Sequence, residues 1–393
     1  MKALYGTKQG ARLWRELVHK HMIEEMMIPS KIMECVYMGM KADAPYDKER
    51  EHLRGIRSIS IVTDDLASLH DETGVGANNY QAFVDRFLAK FPGTDMGDIT
   101  YYCSLNIERG PDGIYSYDHC KYIEGMLAKQ GLEDIPEQDM PYSETVIKDL
   151  NAYTKTPDEY KLGELVNLTA YRSIIGALQY PAQNTTPAAT ATAGVLATYM
   201  CEGHVRQKHM DAAMHLAGYM KKHRNDKVRM DPGDMQIRGG ADASFAACRR
   251  TRRSRTGLWT RIGKSLINFK SYMQNGTAKA PSDAEVRAAS DAAKEIRFIR
   301  LHMAEYGYEM EEPAKLECDC KPAVAIINGS GPMSSLRYLD VDARFAQEAR
   351  EQKIVRMVDV DTDDNTADML TKATLTKEKL HKFRRRLQGQ TEW

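Results

Sequence analysis

Cysteine is sparse and carries no pattern: the 393 residues hold seven, an odd number without a CxxC pair, which argues against a disulfide framework. Cys318 and Cys320 flank Asp319 too closely for a usual zinc site, and the eleven histidines show no metal-ligand spacing. No stretch approaches the roughly 18 apolar residues a membrane span needs, and Met1-Lys2-Ala3-Leu4-Tyr5-Gly6 leads into Lys8 rather than into a signal-peptide core. These absences predict a reducing, intracellular setting with no membrane partner. Net charge is also missing: 55 Lys and Arg balance 55 Asp and Glu, so overall charge argues neither for nor against a polyanionic partner, and local patches must be read instead. Neither an internal repeat nor a low-complexity tract is visible.

What is present fits a globular α+β chain. Its length suits about two to three domains, and 42% apolar residues can furnish their cores. The pattern predicts a helix over 11–27, a polar loop over 41–54 and a strand over 56–63. Asp64-Asp65 then sits at a hairpin tip, and a second hairpin spans 101–117, turning at Gly110-Pro111-Asp112-Gly113. From 136 to 164 the chain is polar with three prolines and reads as a connector or exposed excursion. Helices resume near Thr169. In the helix over 209–222, Met210, Ala213, Met214, Ala217 and Met220 share one face, which reads as a core stripe. Asp231-Pro232-Gly233 breaks the chain before a last domain of strands near 235–245, 257–262 and 265–273, a long helix over 281–306, and strands at 315–318 and 354–360 with further helices. Three strands, a helix, then alternation is an α/β layout in which acidic groups at strand ends can converge.

Four acidic residues of the last domain lie where apolar elements start or end. Asp242 ends or interrupts the first strand, Asp319 closes the fourth, and Glu285 and Asp368 open helical stretches. At helical spacing Glu285 falls on the stripe of Ala288, Ala289, Ala292, Ala293, Ile296, Ile299 and Met303, the side that faces a core. An ionised carboxylate there must sit at the rim, be paired or bind a cation. Taken alone, Glu285 reads equally as a first-turn acid favoured by the helix dipole. The set of four points to a metal. Asp64-Asp65 by itself could be a turn.

Basic residues cluster locally. Eight Lys and Arg and no acid occur over 245–274, among them Arg249, Arg250, Arg252, Arg253 and Arg255. Such a run is by default a solvated loop, and beside a nucleic acid it could contact phosphates without reading sequence. Lys382, Arg384, Arg385 and Arg386 read as a solvated helix face.

Seven separated strings occur in the order found at the end of a copia-type LTR retrotransposon polyprotein: KALYGTKQGARLW (2–14), VTDD (62–65), YRSIIGALQY (171–180), ADAS (241–244), DAEV (283–286), ECDC (317–320) and NTADMLTK (365–372). The chain therefore resembles, over nearly its whole length, a partial reverse transcriptase followed by ribonuclease H. The resemblance implies partial reverse transcriptase fingers and palm over 1–135, the polar connector and helical thumb over 136–230, and a ribonuclease H-like domain with a mixed five-stranded sheet over 231–393. By motif, Asp242, Glu285, Asp319 and Asp368 match the ribonuclease H metal ligands. Asp64 and Asp65 match the polymerase aspartate pair, and Gln9 a glutamine near the incoming nucleotide. The implied cofactors are two Mg²⁺ or Mn²⁺ per active site, roughly 4 Å apart, for in-line phosphoryl displacement. The implied partners are RNA:DNA hybrid, template-primer and the rest of the polyprotein, in the cytoplasm, the nucleus or virus-like particles. Several positions depart from the family pattern. Val62 and Thr63 stand where tyrosine and valine are usual, Ala243-Ser244-Phe245 where Ala-Asp-Trp is usual, and Tyr338 where a histidine is frequent. The family's first palm aspartate lies upstream of the KALYG string, so the polymerase site is expected to be incomplete and DNA synthesis weak or absent. The alternative expectation is an inactive remnant or host-adopted nucleic-acid-binding module.

Overall fold

A computed structural model describes residues 8–153, 156, 158–201, 205–330 and 340–390. The chain forms two compact units, one of residues 1–103 with 298–309 and one of 104–297 with 310–393. Among the described residues no helix is long and apolar enough to cross a membrane.

The first unit contains α1 (Lys8–Glu24), β1 (Ile28–Pro29), β2 (Val36–Met38), β3 (Ile56–Val62), β4 (Asp65–His70), α2 (Gly74–Lys90) and β5 (Tyr101–Tyr102). Strands β1 to β4 form an antiparallel sheet in sequence order. Val18 and Met22, one helical turn apart on α1, pack with Ile56 and Ile59 of β3 and with Phe83, Phe87 and Phe91. Val62 pairs with Asp65, so Thr63 and Asp64 alone make the turn, with Thr63 at φ 57°. The Trp14 indole N–H donates to the Thr63 carbonyl at 2.6 Å and ties α1 to this tip.

The second unit begins with β6 (Leu105–Arg109) and β7 (Tyr115–Asp118), joined at the 110–113 turn, where Gly113 N–H donates to the Gly110 carbonyl at 2.9 Å. Helices α3 (Cys120–Gln130), α4 (Glu144–Tyr153), α5 (Leu168–Asn184), α6 (Pro187–Ala197) and α7 (Gln207–Lys222) follow, then β8 (Val228–Met230), which pairs with β7. The polar stretch over 136–164 is more ordered than its composition suggests. It holds α4, and Tyr142, Ile147, Leu150 and Leu162 are buried in the main core. Few apolar residues suffice there because Ile147 and Leu150 fall three apart on one face.

The rest of the unit comprises β9 (Ile237–Ser244), β10 (Arg255–Ile262), β11 (Ser265–Met273), α8 (Pro281–Glu305) as far as Arg297, β12 (Ala314–Cys318), α9 (Lys321–Ile327), α10 (Asp340–Glu351), β13 (Val355–Asp359), α11 (Asp368–Thr371) and α12 (Lys377–Leu387). Its sheet is mixed and five-stranded, ordered β11-β10-β9-β12-β13, antiparallel from β11 to β9 and parallel from β9 to β13. One hydrophobic core joins α3 to α7 with Trp259, Leu266 and Phe269 of this sheet and with Met369, Leu370 and Phe383. On α7, Ala213, Ala217 and Met220 are buried, whereas Met210 and Met214 only pack against the edge of that core.

Two buried histidines make this core acid-sensitive. His119 shares a 2.8 Å hydrogen bond with the Thr185 hydroxyl, and His209 Nδ1 accepts the Arg206 N–H at 3.0 Å. Burial lowers each from 6.5 to about 4. The folded state thus favours neutral rings, so their stability contribution is full above the unfolded value of 6.5 and is lost as pH falls toward 4. Each is expected to cost about 2 kcal/mol by pH 5. Urea unfolding of the parent and of His119→Gln at pH 7 and pH 5 checks this, because the difference between the two isolates the histidine. An identical pH decrement in both would refute it.

Candidate metal centre

Strand register brings two of the four acids level. Gly240 on β9 pairs with Glu317 on the parallel neighbour β12. Two residues further along the chain in each case are Asp242, still within β9, and Asp319, immediately after β12 ends. Asp242 also pairs with Gly257 of β10. Glu285 arrives from α8, whose buried stripe of Ala288, Ala289, Ala292, Ala293 and Ile296 holds the helix against the sheet. The Ala243 N–H faces the Glu285 carboxylate and favours its charged form. Asp368 opens α11, which lies over Gly257, where the missing Cβ leaves room for Ala367, Leu370 and Thr371.

The result is one cluster with two overlapping triplets. Ligand oxygens of Asp242, Asp319 and Asp368 all lie within 4.8 Å of one another, and so do ligand atoms of Glu285, Cys318 and Asp319. Asp242, Glu285 and Asp368 are only 3%, 7% and 1% exposed, whereas Asp319 is half-buried. The Thr371 hydroxyl donates to Asp242 Oδ2, and the Asn365 amide donates to Asp242 Oδ1 at 3.4 Å. Lys372 Nζ lies 2.6 Å from Asp368 Oδ1, and Lys379 Nζ lies 3.2 Å from Asp368 Oδ2.

These carboxylates repel one another out of water. Burial first, then the Asp368 charge, pushes Asp242 well above the usual carboxylate range. Burial first, then the Asp242 charge, does the same to Glu285. Burial would lower Lys372, but Asp242 and Asp368 together hold it above its ordinary value. Both lysines contact Asp368, and the Lys372 charge also reaches Asp242 and Glu285, so among the described residues two cations face four carboxylates. A cluster of hard oxygens this close can hold a metal ion, since Mg²⁺ bonds oxygen at about 2.1 Å and places ligand pairs roughly 3–4 Å apart.

The other sequence-derived candidates lie elsewhere. Gln9, Asp64 and Asp65 are exposed in the first unit, and among the described residues no metal-capable group of three includes them. Tyr338 lies outside the described residues. Arg249, Arg250, Arg252 and Arg253 are exposed in the loop between β9 and β10. Arg255 is not part of that surface: it is 3% exposed inside β10, and its Nη1 donates to the Ser271 hydroxyl at 3.2 Å. It opens β10, a strand buried on both faces along its whole length, a placement hidden by the surrounding arginines. The α12 basics are also less free than a solvated face implies. Arg386 and Lys382 bond Asp364, and Arg384 lies 3.1 Å from Asp226. Sequence reasoning missed Asn365, Thr371 and Lys372 as partners of the acids, although all three lie in the NTADMLTK string, and Cys318, although it lies in the ECDC string; it also missed Lys379, which no motif marked.

No protein-family model matches the chain. It is 23% identical, over 94% of its length, to the retrovirus-related Pol polyprotein from transposon RE2 of Arabidopsis thaliana, of which the match covers 24%. It is 22% identical, again over 94% of its length, to the retrovirus-related Pol polyprotein from transposon TNT 1-94 of Nicotiana tabacum, covering 26% of that protein. An uncharacterized mitochondrial protein of Arabidopsis thaliana is 24% identical over 58% of this chain and 89% of its own length. The chain thus resembles Pol polyproteins of copia-type retrotransposons along nearly its whole length and spans about a quarter of the polyproteins it matches.

Proposed function

We propose that this chain, a segment resembling copia-type retrotransposon polyproteins, is a metal-dependent nuclease that cleaves the RNA strand of RNA:DNA hybrids. One observation carries the reading: four carboxylates, three of them buried, converge from two strand ends and two helices in a single cluster faced by only two lysines among the described residues. Asp242, Glu285, Asp319 and Asp368 would hold two Mg²⁺ or Mn²⁺ ions. When bound, such ions activate an attacking water and stabilise the leaving oxygen in phosphodiester hydrolysis. The protein's own part is orientation: Thr371 and Asn365 fix the Asp242 carboxylate, and the lysines on Asp368 hold that arm of the cluster in place. The mixed five-stranded sheet supports reading 231–393 as ribonuclease H-like. We read 1–135 as reverse transcriptase fingers and palm, with Asp64, Asp65 and Gln9 from its polymerase site, and 136–230 as connector and thumb. The exposed Arg249, Arg250, Arg252 and Arg253 are read as contacts to hybrid phosphates.

A second reading, a nucleic-acid-binding remnant without turnover, draws on the Lys372 ammonium, which already occupies one Asp368 oxygen at 2.6 Å. Hybrid cleavage by the purified chain separates the two. RNA-strand cleavage that needs Mg²⁺ or Mn²⁺ and stops on chelation supports the nuclease. Hybrid binding with no cleavage at either ion selects the remnant, and neither binding nor cleavage sinks both.

A further inference from the structure

A cleft separate from the carboxylate cluster is lined by Arg249, Arg250, Arg255, Cys248, Asn151 and Thr198, with no acidic residue among the described residues of its wall. Its inner wall is built around Arg255. The guanidinium lies over Gly194 of α6, where a Cβ would sit 2.4 Å from Nη1. Glycine inside a helix is destabilising relative to alanine, and here it leaves the space that the guanidinium fills. Among the described residues, Arg255 makes no ion pair, and its one side-chain hydrogen bond goes to the neutral Ser271 hydroxyl. Burial lowers Arg255 from 12.5 to about 10, so it remains charged at neutral pH. A buried cation without a carboxylate is costly, and an anion entering the cleft would offset that cost. A guanidinium presents paired donors suited to tetrahedral oxyanions, and the exposed Arg249 at the rim adds attraction.

We propose that this cleft binds one phosphate group, with Arg255 at its inner wall and Arg249 and Arg250 at its mouth. The group could come from a nucleic-acid strand or from free phosphate, and the chemistry is the same for both. The inference does not depend on the nuclease reading, because it uses none of the four metal-site acids.

Cys248 supplies a reporter in the same wall. Burial would raise its thiol, but the Thr251 hydroxyl and N–H, the Arg250 N–H and the Arg250 charge bring it below its ordinary value. It should therefore react readily with neutral iodoacetamide, read by mass spectrometry of its own peptide. Inorganic phosphate at constant ionic strength is expected to slow Cys248 alkylation at least fivefold and saturably in the full-length chain, while chloride does not. Arg255→Met is expected to abolish the protection, and Arg249→Ala, an exposed change that leaves the fold intact, to weaken it several-fold. A single-stranded oligonucleotide without terminal phosphates distinguishes the sources. If it protects, the cleft takes strand phosphates, and if only inorganic phosphate protects, it takes the free ion. The proposal is overturned if neither protects, if chloride protects equally, or if Arg249→Ala and a folded Arg255→Met both retain parent protection. Protection in an Asp242→Asn chain that cleaves nothing would leave the cleft standing while the nuclease reading fell.

Discussion

Replacing Asp242 by asparagine is expected to lower hybrid cleavage on the order of 10³-fold, equivalent to about 4 kcal/mol in the barrier, and to raise the melting temperature of the metal-free chain. The two effects share one cause. The Asp242 carboxylate is buried between Asp319 and Asp368, and burial followed by the Asp368 charge lifts its protonation equilibrium far above that of an unfolded chain. A carboxylate raised on folding contributes stability below its unfolded value of 3.8, and that contribution is lost as pH climbs through the folded value. Near neutral pH the ionised cluster therefore works against the fold. Asparagine keeps the shape, lets the Thr371 hydroxyl rotate to accept rather than donate, and removes one charge. The gain should be on the order of 1–2 kcal/mol, several degrees in a thermal scan without divalent ions. Adding Mn²⁺ should raise the melting temperature of the parent and leave the variant nearly unmoved, because the ion stabilises only a state that binds it. A variant that melts lower than the parent without metal and still responds to Mn²⁺ would show that Asp242 is an ordinary structural acid.

The carboxylates could be found in the sequence because each lies where an apolar element starts, ends or is interrupted. Glu285 lies on a stripe of buried alanines, and Asp242 lies within the strand-forming run that becomes β9. Periodicity also fixed β11 at 265–273 and the start of α8 at Pro281, since long elements with one buried face leave an unambiguous spacing. What could not be read depends on contacts distant in the chain. Lys379 meets Asp368 only because α12 folds back beside α11, and nothing local to Lys379 indicates it. Arg255 lies in a run of five arginines over seven residues, and only its pairing with Ser244 on β9 distinguishes its inward face from the exposed loop before it. The polar segment around α4 was misleading for a related reason. Its average composition is hydrophilic, yet two residues on one face, Ile147 and Leu150, anchor it in the core.

Gly257→Ala is expected to damage the same centre from the opposite direction. Gly257 pairs with Asp242 and turns its open face to α11. An added Cβ would lie 2.7 Å from Thr371 Cγ2, 2.8 Å from Leu370 Cβ and 3.0 Å from the Ala367 carbonyl oxygen. Two of those neighbours are a backbone oxygen and the first carbon of a core leucine, so no flexible side-chain end can give way. The short helix must move as a body, and it carries both Asp368 and the hydroxyl that orients Asp242. Overpacking of this kind costs about 1–3 kcal/mol, and the shift withdraws Asp368 from the other oxygens. Gly257→Ala should therefore melt lower than the parent without divalent ions and lose the Mn²⁺-dependent rise, whereas Asp242→Asn loses the rise but melts higher. Gly125→Ala in α3, where a Cβ meets nothing within 4 Å, serves as the control. It should gain up to about 1 kcal/mol from helix propensity and keep the full metal response. If Gly257→Ala matches the parent in both melting temperature and Mn²⁺ response, close packing of α11 on β10 does not hold the metal centre together.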